Sequence, residues 1–253
     1  MKPLLLLTND DGYRAKGINE LTKALREQAD IIIMAPEYPQ SGMSSALSAT
    51  QAIRYRLVSE EKGLTIYSCT GTPVDCVKLA IGQVIKRRPD AVISGINHGT
   101  NIAISVHYSG TLGAAIEGCI NNLPSIAFSL TDVSPDANFE ETCRLAKQLT
   151  AHVLKEGLPR GTYLSLNVPN KNKVKGIKIC KQADSKWDNE HKRSKDGFNH
   201  DVFWMTGHLT VKDPTDQLND TTALKEGYAS LVPCKIDVTD YDYIHSLTQK
   251  LNL

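Results

Sequence analysis

The N-terminus of the chain combines an uninterrupted apolar run with two adjacent carboxylates. Leu4-Leu5-Leu6-Leu7 is followed directly by Thr8-Asn9-Asp10-Asp11-Gly12. A short apolar run without polar alternation indicates a strand that is buried on both faces, as in a parallel sheet. Open parallel sheets bind ligands at the carboxyl ends of their strands, which is where Asp10 and Asp11 would lie. Such a pair favours a hard divalent cation such as Mg²⁺ or Mn²⁺, although Asn9 and Asp10 could instead shape the turn and cap the next helix.

The first half of the chain alternates strand patterns with helix patterns. We predict strands at Leu4–Leu7, Ile31–Met34, Ile53–Val58, Leu64–Ser68, Ala91–Ile93 and Ser125–Ser129. We predict helices over Ile18–Gln28, from Pro73 through Ile85, over Thr111–Asn121 and over Glu140–Leu154, with loops at 37–50 and from Ser94 to Gly110. This alternation favours a doubly wound α/β sheet.

The second half of the chain is less regular. We predict strands at Tyr163–Asn167, Ile177–Lys181, Val202–Met205 and Tyr228–Val232, and a terminal helix over Tyr241–Leu251. Residues 184–200 are highly polar and show neither a helical nor a strand period. Because no Gly/Ser/Pro-rich linker separates the halves, we predict one α/β domain over residues 1–253. Its core is expected over about residues 1–182, and a C-terminal arm and tail over about 183–253.

Composition excludes several classes of protein. The formal net charge of +1 gives no sign of a nucleic-acid-binding surface, which usually carries a basic excess. No apolar run reaches membrane-spanning length, and the leucine run is too short for a signal peptide. The six cysteines show no C-x-x-C spacing, so neither a zinc site nor a thioredoxin-like motif is indicated. We therefore expect a cytoplasmic protein with neither nucleic-acid nor membrane partners.

Three successive strand ends of the predicted sheet carry oxygen-rich loops. The first supplies Asn9-Asp10-Asp11, the second Ser41-Gly42 with further hydroxyls at Ser44, Ser45 and Ser48, and the third Ser94 through Asn101. In a parallel sheet these edges face one crevice, where carboxylate, hydroxyl and amide oxygens could surround a magnesium ion. Ser41 could also be an ordinary turn residue, and Asn97, between two glycines, could serve a left-handed turn.

A second group of polar residues precedes a predicted helix. Tyr108-Ser109-Gly110-Thr111 leads into the helix, and a helix N-terminus with hydroxyls and a glycine can bind an anion. Ser109 or Thr111 could also simply cap the helix. A metal site facing an anion site suggests hydrolysis of a phosphate ester.

These motifs together resemble one family. The segments are Thr8–Gly12, Ala35-Pro36 with Ser41-Gly42, Thr70–Pro73 with Asp75–Val77, Ser94–Gly99 through Asn101, Ser109–Thr111 and Leu166–Pro169. In this order they resemble the stationary-phase survival protein SurE family. The resemblance implies a metal-dependent 5′-nucleotidase with a Rossmann-like core, some members of which also accept 3′-nucleotides or short polyphosphate. It implies one divalent cation per subunit, Mg²⁺ or Mn²⁺, and a C-terminal arm that builds homodimers or homotetramers.

The resemblance also assigns residues to the expected site. It implies metal ligands at Asp10, Asp11, Ser41 and Asn97, with Asp10 and Asp11 as the catalytic pair. It implies phosphate contacts from Asn9, Asn101, Ser109, Gly110 and Thr111. We expect the residues beyond about Arg160 to serve assembly more than chemistry.

Other assignments and other functions stay open at this point. His98 and His107 lie near the expected site and could act as acid or base, although we interpret His107 as structural. Trp187, Phe198, Phe203 and Trp204 could stack on a nucleobase, but we expect them to pack at a subunit contact. A nucleotide-binding sensor without turnover is the alternative function. A dinucleotide-dependent oxidoreductase is disfavoured because G-x-G-x-x-G does not follow the first strand.

Overall fold

Strands and helices of the computed structural model, which describes residues 2–251, follow the predicted α/β order. The strands are β1 (Leu4–Thr8), β2 (Asp30–Pro36), β3 (Tyr55–Glu61), β4 (Leu64–Cys69), β5 (Ala91–His98), β6 (Ser125–Leu130), β7 (Thr162–Val168), β8 (Ile177–Ile179), β9 (Ser185–Asp188), β10 (His191–Lys195), β11 (Asp201–Met205), β12 (His208–Val211) and β13 (Ala229–Lys235). The helices are α1 (Lys16–Leu25), α2 (Pro73–Leu79), α3 (Gly110–Ile120), α4 (Glu140–Glu156), α5 (Asp220–Lys225) and α6 (Tyr241–Lys250).

The main sheet has nine strands in the order β3-β4-β2-β1-β5-β6-β7-β13-β8. Strands β4, β2, β1, β5, β6 and β7 are parallel to one another, while β3 and β13 each run antiparallel to a neighbour. The chain builds outward from β1 to β2 and then returns to the other side of β1 at β5. The topological switch point therefore lies between β1 and β5, which is where ligands bind in doubly wound sheets. The predicted mostly parallel α/β fold is confirmed.

The leucine run of β1 is buried because helices cover both faces of the sheet. Leu5 and Leu7 contribute to the cluster that also contains the buried side chains of α1 and α4. Leu6 belongs to a second cluster, on the opposite face, with Val77 of α2. Alternate leucines thus fill two cores, which is the physical reason why the strand is apolar at every position.

The structure differs from the sequence prediction at several elements. Strand β5 continues to His98 instead of ending at Ile93, and Ala103–Tyr108 forms a 3-10 helix where a loop was predicted. A bulge after Ser94 shifts the pairing of β5 with β6, so polar and glycine residues continue the strand. The helix that begins at Pro73 becomes a π-helix at Ala80–Val84. Strand β12 and helix α5 were not predicted.

Residues 184–200, which lack a sequence period, form half of a long two-stranded ribbon. We call residues 185–211 the β-ribbon: β9 pairs with β12 at its base and β10 pairs with β11 toward its tip. All five residues of β10 are exposed, so this strand has no buried face to impose an alternation of polar and apolar residues. Backbone pairing, and not burial of an apolar face, therefore orders this segment.

The main sheet extends past residue 182, where the sequence places the end of the core. Strand β13 pairs with β7 over six residues and with β8 over three, and Leu231 lies in the same apolar cluster as β1. The chain therefore leaves the core for the β-ribbon and then returns to it. Among residues 2–251, no helix is both long enough and apolar enough to cross a membrane.

Candidate active site

Asp10 and Asp11 directly follow β1 at the switch point of the sheet. Asp10 is only 4% exposed, and one of its carboxylate oxygens, Oδ1, accepts a 2.6 Å hydrogen bond from the Thr111 hydroxyl. Asp11 is half-buried, and its Oδ2 accepts a hydrogen bond of 3.2 Å from the backbone N–H of His98. The two carboxylates are therefore held by different elements, α3 on one side and the end of β5 on the other.

Burial raises the pKa of both carboxyl groups. Loss of hydration raises the pKa of Asp10 from 3.8 to about 6, hydrogen bonds from Thr111 oppose the rise, and the neighbouring charge of Asp11 adds to it. Burial likewise raises the pKa of Asp11, against the hydrogen bond from His98. Keeping both buried carboxylates ionised at neutral pH raises the free energy of the folded chain. A cation bound between them would offset this increase.

Asn97 and Ser41 bring further oxygen atoms to the same cleft. The Asn97 side-chain amide donates a 2.8 Å hydrogen bond to the carbonyl of Gly99, which leaves its own carbonyl oxygen as a possible ligand. Ser41 lies on an exposed loop that is joined to Asp10 by a 2.7 Å hydrogen bond from Gln40 N to Asp10 O. Asp10, Ser41 and Asn97 all line one cleft.

This set of donor atoms fits a hard divalent cation. Two carboxylates, an amide oxygen and a hydroxyl are the ligands that Mg²⁺ and Mn²⁺ prefer. Within residues 2–251 there is no group of three or more His, Cys, Asp or Glu side chains that could hold a metal. A softer, nitrogen- or sulfur-based site is therefore not formed by the described residues, and the oxygen set around Asp10 is the candidate.

The N-terminus of α3 faces Asp10 across a very narrow gap. A Cβ atom added to Gly110 would lie 2.9 Å from the Cβ of Asp10 and 3.2 Å from its Oδ2, so only glycine allows this approach. Ser109 is the N-cap, and its Oγ accepts a 3.1 Å hydrogen bond from Leu112 N. The first N–H groups of a helix have no intrahelical acceptor and carry the positive end of the helix dipole. The capping interpretation of Ser109 is thus correct, and it is compatible with anion binding by the same turn.

A buried network of polar side chains supports this arrangement. The Asn101 amide donates to the hydroxyls of Ser129, at 3.0 Å, and Thr111, at 3.4 Å. Asn167 of β7 accepts from Asn101 N at 2.8 Å and donates to Asn101 O at 3.1 Å. Asn167 therefore fixes the backbone that carries Asn101. Sequence reasoning assigned it no role, although it lies in the motif Leu166–Pro169.

Asn9 is placed differently from the other expected site residues. It is fully buried, and both polar atoms of its side chain bond to the backbone of Gly12, at 2.9 and 3.1 Å. Gly12 itself has a φ of +98°, a conformation that favours glycine. The side chain of Asn9 thus closes the turn that carries Asp10 and Asp11, and its expected contact with phosphate stays a prediction.

The two histidines near the site have different surroundings. His98 lines the cleft, and its ring packs edge-on against Phe139 with centroids 4.9 Å apart. His107 lies in the 3-10 helix and accepts a 2.6 Å hydrogen bond through its carbonyl from Ser44 Oγ. The hydroxyl of Ser44 is thereby directed to this backbone, and Ser45 lines a neighbouring cavity instead of the cleft around Asp10.

The cleft that contains these residues has a volume of about 560 Å³. Two cavities of about 620 and 630 Å³ are larger, so the chemistry of the lining and not volume identifies the site. Trp187, Glu190, Met205 and Thr206 of the β-ribbon complete the cleft opposite the sheet edge. The base of the ribbon therefore borders the cleft, and the expectation that residues beyond about Arg160 serve assembly more than chemistry stays a prediction.

Comparisons with known proteins agree with the motifs. A family described as "Survival protein SurE" matches residues 5–189. A protein of Bacteroides thetaiotaomicron named 5′-nucleotidase SurE is 48% identical over 97% of this chain and 95% of its own length. A protein of the same name from Phocaeicola vulgatus is 47% identical over 97% of this chain and 96% of its own.

A solved structure supports the same relationship. The crystal structure of the SurE protein from Aquifex aeolicus superposes with a TM-score of 0.84 at 32% sequence identity, covering 98% of this chain and all of that one. The motifs, the fold and these similarities lead to one conclusion: the chain belongs to the SurE family.

Proposed function

We propose that this protein is a metal-dependent phosphatase that hydrolyses nucleoside 5′-monophosphates to nucleoside and inorganic phosphate. The observation that carries the proposal is the close approach of the Asp10 carboxylate to the N-terminus of α3 at Gly110. A cation site and an anion site in contact with each other suit a phosphate group that is bound from both sides. The names of the relatives, 5′-nucleotidase SurE, support the same class of enzyme.

We assign the cation to Asp10, Asp11, Ser41 and Asn97, one ion per subunit, and we expect Mg²⁺ or Mn²⁺. When bound, the ion supplies positive charge to the phosphoryl oxygens and makes water more acidic. Its binding also removes the cost of keeping two buried carboxylates ionised side by side.

The remaining residues bind the phosphate and position the acidic pair. The N–H of Gly110 and the hydroxyl of Ser109 lie at the start of α3, where they stabilise charge that develops on the phosphoryl oxygens. The Thr111 hydroxyl bonds to Asp10 and orients that carboxylate, and the expected phosphate contacts of Thr111 and Asn101 stay predictions. Asn101 holds Thr111, and Asn167 holds Asn101. His98 lines the cleft and is a candidate proton donor to the leaving oxygen.

Release of inorganic phosphate from AMP tests the proposal. We expect turnover with added Mn²⁺ or Mg²⁺, and none in EDTA. Asp11→Asn should remove most of the activity, whereas Asp136→Asn, which changes an exposed carboxylate outside the cleft, should not. Binding of AMP without phosphate release under any of these metals would contradict the proposal and favour the nucleotide-binding sensor.

The range of substrates can be measured in the same assay. The resemblance to the family implies that 3′-monophosphates or short polyphosphate could also be substrates, and we propose that the open cleft of this protein admits them at lower rates. A panel of 5′- and 3′-monophosphates, polyphosphate and p-nitrophenyl phosphate, repeated with Mg²⁺, Mn²⁺, Co²⁺ and Zn²⁺, would rank them. A higher kcat/KM for 3′- than for 5′-monophosphates would contradict this order.

We also propose that the protein forms homodimers or homotetramers through the tip of the β-ribbon. Phe198, Phe203 and Trp204 are each at least 60% exposed there, an unusual concentration of aromatic surface. Deleting residues 184–200 should lower the mass measured by light scattering. An unchanged mass would contradict this role.

We propose a cytoplasmic location for the protein. Its six cysteines are free thiols with no disulfide among the described residues, which is typical of a reducing compartment.

A further inference from the structure

The wall of the cleft that faces away from the sheet is made by the base of the β-ribbon. Trp187 of β9 and Glu190, just beyond it, contribute one side, and Met205 at the end of β11 and Thr206 after it contribute the other. A bond of 2.8 Å from Thr206 N to Glu190 O holds the two sides together. Neither the Asp10/Asp11 pair nor the N-terminus of α3 contributes to this wall.

The wall is fixed to the rest of the protein by buried hydrogen bonds. Asp220 of α5 is 1% exposed and accepts from Ala103 N at 2.8 Å and from Ala183 N at 3.3 Å. Ser185 Oγ accepts from Ile104 N at 3.0 Å. The chain just before Trp187 is therefore attached to the segment that leads into the phosphate-binding turn.

The chemistry of the wall differs from that of the phosphate end. Trp187 is half-buried, whereas Trp204 on the neighbouring part of the ribbon is 64% exposed and does not line the cleft. Glu190 adds a negative charge, which disfavours a phosphate group at this wall. For a ligand whose phosphate lies at Asp10 and Ser109, the wall around Trp187 therefore suits the uncharged end.

We propose that the base of the β-ribbon is the nucleoside subsite, with the indole of Trp187 as the surface on which the base stacks. This inference rests on the proposed function and extends it to the leaving group. Stacking on an aromatic side chain contributes to binding of every base, because each base has a π face. The subsite therefore accepts purine and pyrimidine nucleoside monophosphates broadly, and a sugar phosphate without a base gains nothing from it.

Kinetics with paired substrates test the inference. Trp187→Ala should raise KM about tenfold for AMP, GMP, CMP and UMP, and leave KM for ribose 5-phosphate unchanged. Trp187→Phe should restore most of the loss, because it keeps an aromatic face. The control is Tyr241→Ala, which removes an aromatic side chain that is 63% exposed and outside the cleft, and which should change KM for neither substrate. Equal effects of Trp187→Ala on AMP and ribose 5-phosphate, or no effect on either, would overturn the proposal.

Fluorescence gives a second measurement that does not depend on turnover. The chain contains two tryptophans, so Trp204→Phe leaves Trp187 as the single indole. Adenosine should quench its emission saturably, whereas ribose should not. Absence of saturable quenching by adenosine would refute the subsite even if the protein hydrolyses AMP. Quenching without AMP hydrolysis would support the subsite and reject the phosphatase, so failure of one proposal is distinguishable from failure of the other.

Discussion

Replacing Asp10 by asparagine should make the metal-free protein more stable at neutral pH. Asp10 is 4% exposed, and its pKa in the folded chain is about 6, compared with 3.8 for an ordinary aspartate. This pKa difference means that ionised Asp10 lowers the free energy of unfolding by at most about 3 kcal/mol. Asparagine keeps an oxygen that can accept the hydrogen bond from Thr111. We therefore expect a gain of about 1–3 kcal/mol for Asp10→Asn in EDTA at pH 7.5.

The sign of the pH dependence follows from the direction of the shift. Between about pH 4 and pH 6 the folded wild-type chain keeps a proton on Asp10 that the unfolded chain has released. The free energy of unfolding of the wild type, relative to the variant, therefore falls as pH rises through this window and levels off above it. The two proteins should have nearly equal stability near pH 4.

Urea unfolding in EDTA, repeated from pH 4 to pH 8, measures this difference. Asp136→Asn is the control, since an exposed substitution should change the free energy of unfolding by at most about 0.5 kcal/mol at each pH. In saturating Mn²⁺ the wild type should instead be more stable than Asp10→Asn. The wild type binds the ion more tightly, so metal binding raises its free energy of unfolding more. An Asp10→Asn variant that is less stable than wild type at pH 7.5 in EDTA would show that the buried Asp10 carboxylate does not destabilise the metal-free protein.

Three further substitutions examine the phosphate-binding turn and its support. Ser109→Ala should lower the free energy of unfolding by about 1 kcal/mol through loss of the cap, and raise the inhibition constant of inorganic phosphate about tenfold; unchanged phosphate inhibition would mean that Ser109 is only a cap. Gly110→Ala should lower kcat/KM about 100-fold by displacing the Asp10 carboxylate, while circular dichroism stays native; wild-type kinetics would show that the close approach is unimportant. Asn167→Ala should lower the free energy of unfolding in urea by about 1–3 kcal/mol and reduce kcat/KM, because it leaves the backbone of Asn101 without these two hydrogen bonds. A loss of stability with unchanged kcat/KM would mean that Asn167 does not support the site.

The sequence carries most of the information about the sheet and its edge. The leucine run of β1 predicts a strand covered on both faces, and the two apolar clusters on either side of it explain why. Asp10, Asn97 and Ser109 line one cleft because Asp10 follows β1, Asn97 lies at the carboxyl end of the parallel strand β5, and Ser109 begins the helix that follows β5.

Other features depend on contacts that no local pattern reveals. Strand β10 is fully exposed, so pairing with β11 orders it without an apolar period. The role of Asn167 arises from two bonds to a residue 66 positions away in the chain. Trp187 and Trp204 cannot be distinguished by composition, and only the register of the β-ribbon brings one to the cleft and leaves the other in solvent.

We propose above that Asp10 and Asp11 hold one divalent cation against the phosphate-binding turn. Titration of the metal-free protein with Mn²⁺, followed by the electron paramagnetic resonance signal of the free ion, measures this directly. We predict one ion bound per chain in the wild type and in the Asp136→Asn control. The double variant Asp10→Asn/Asp11→Asn should bind none over the same concentration range. Binding of one ion per chain by the double variant, with wild-type affinity, would show that Asp10 and Asp11 do not hold the ion.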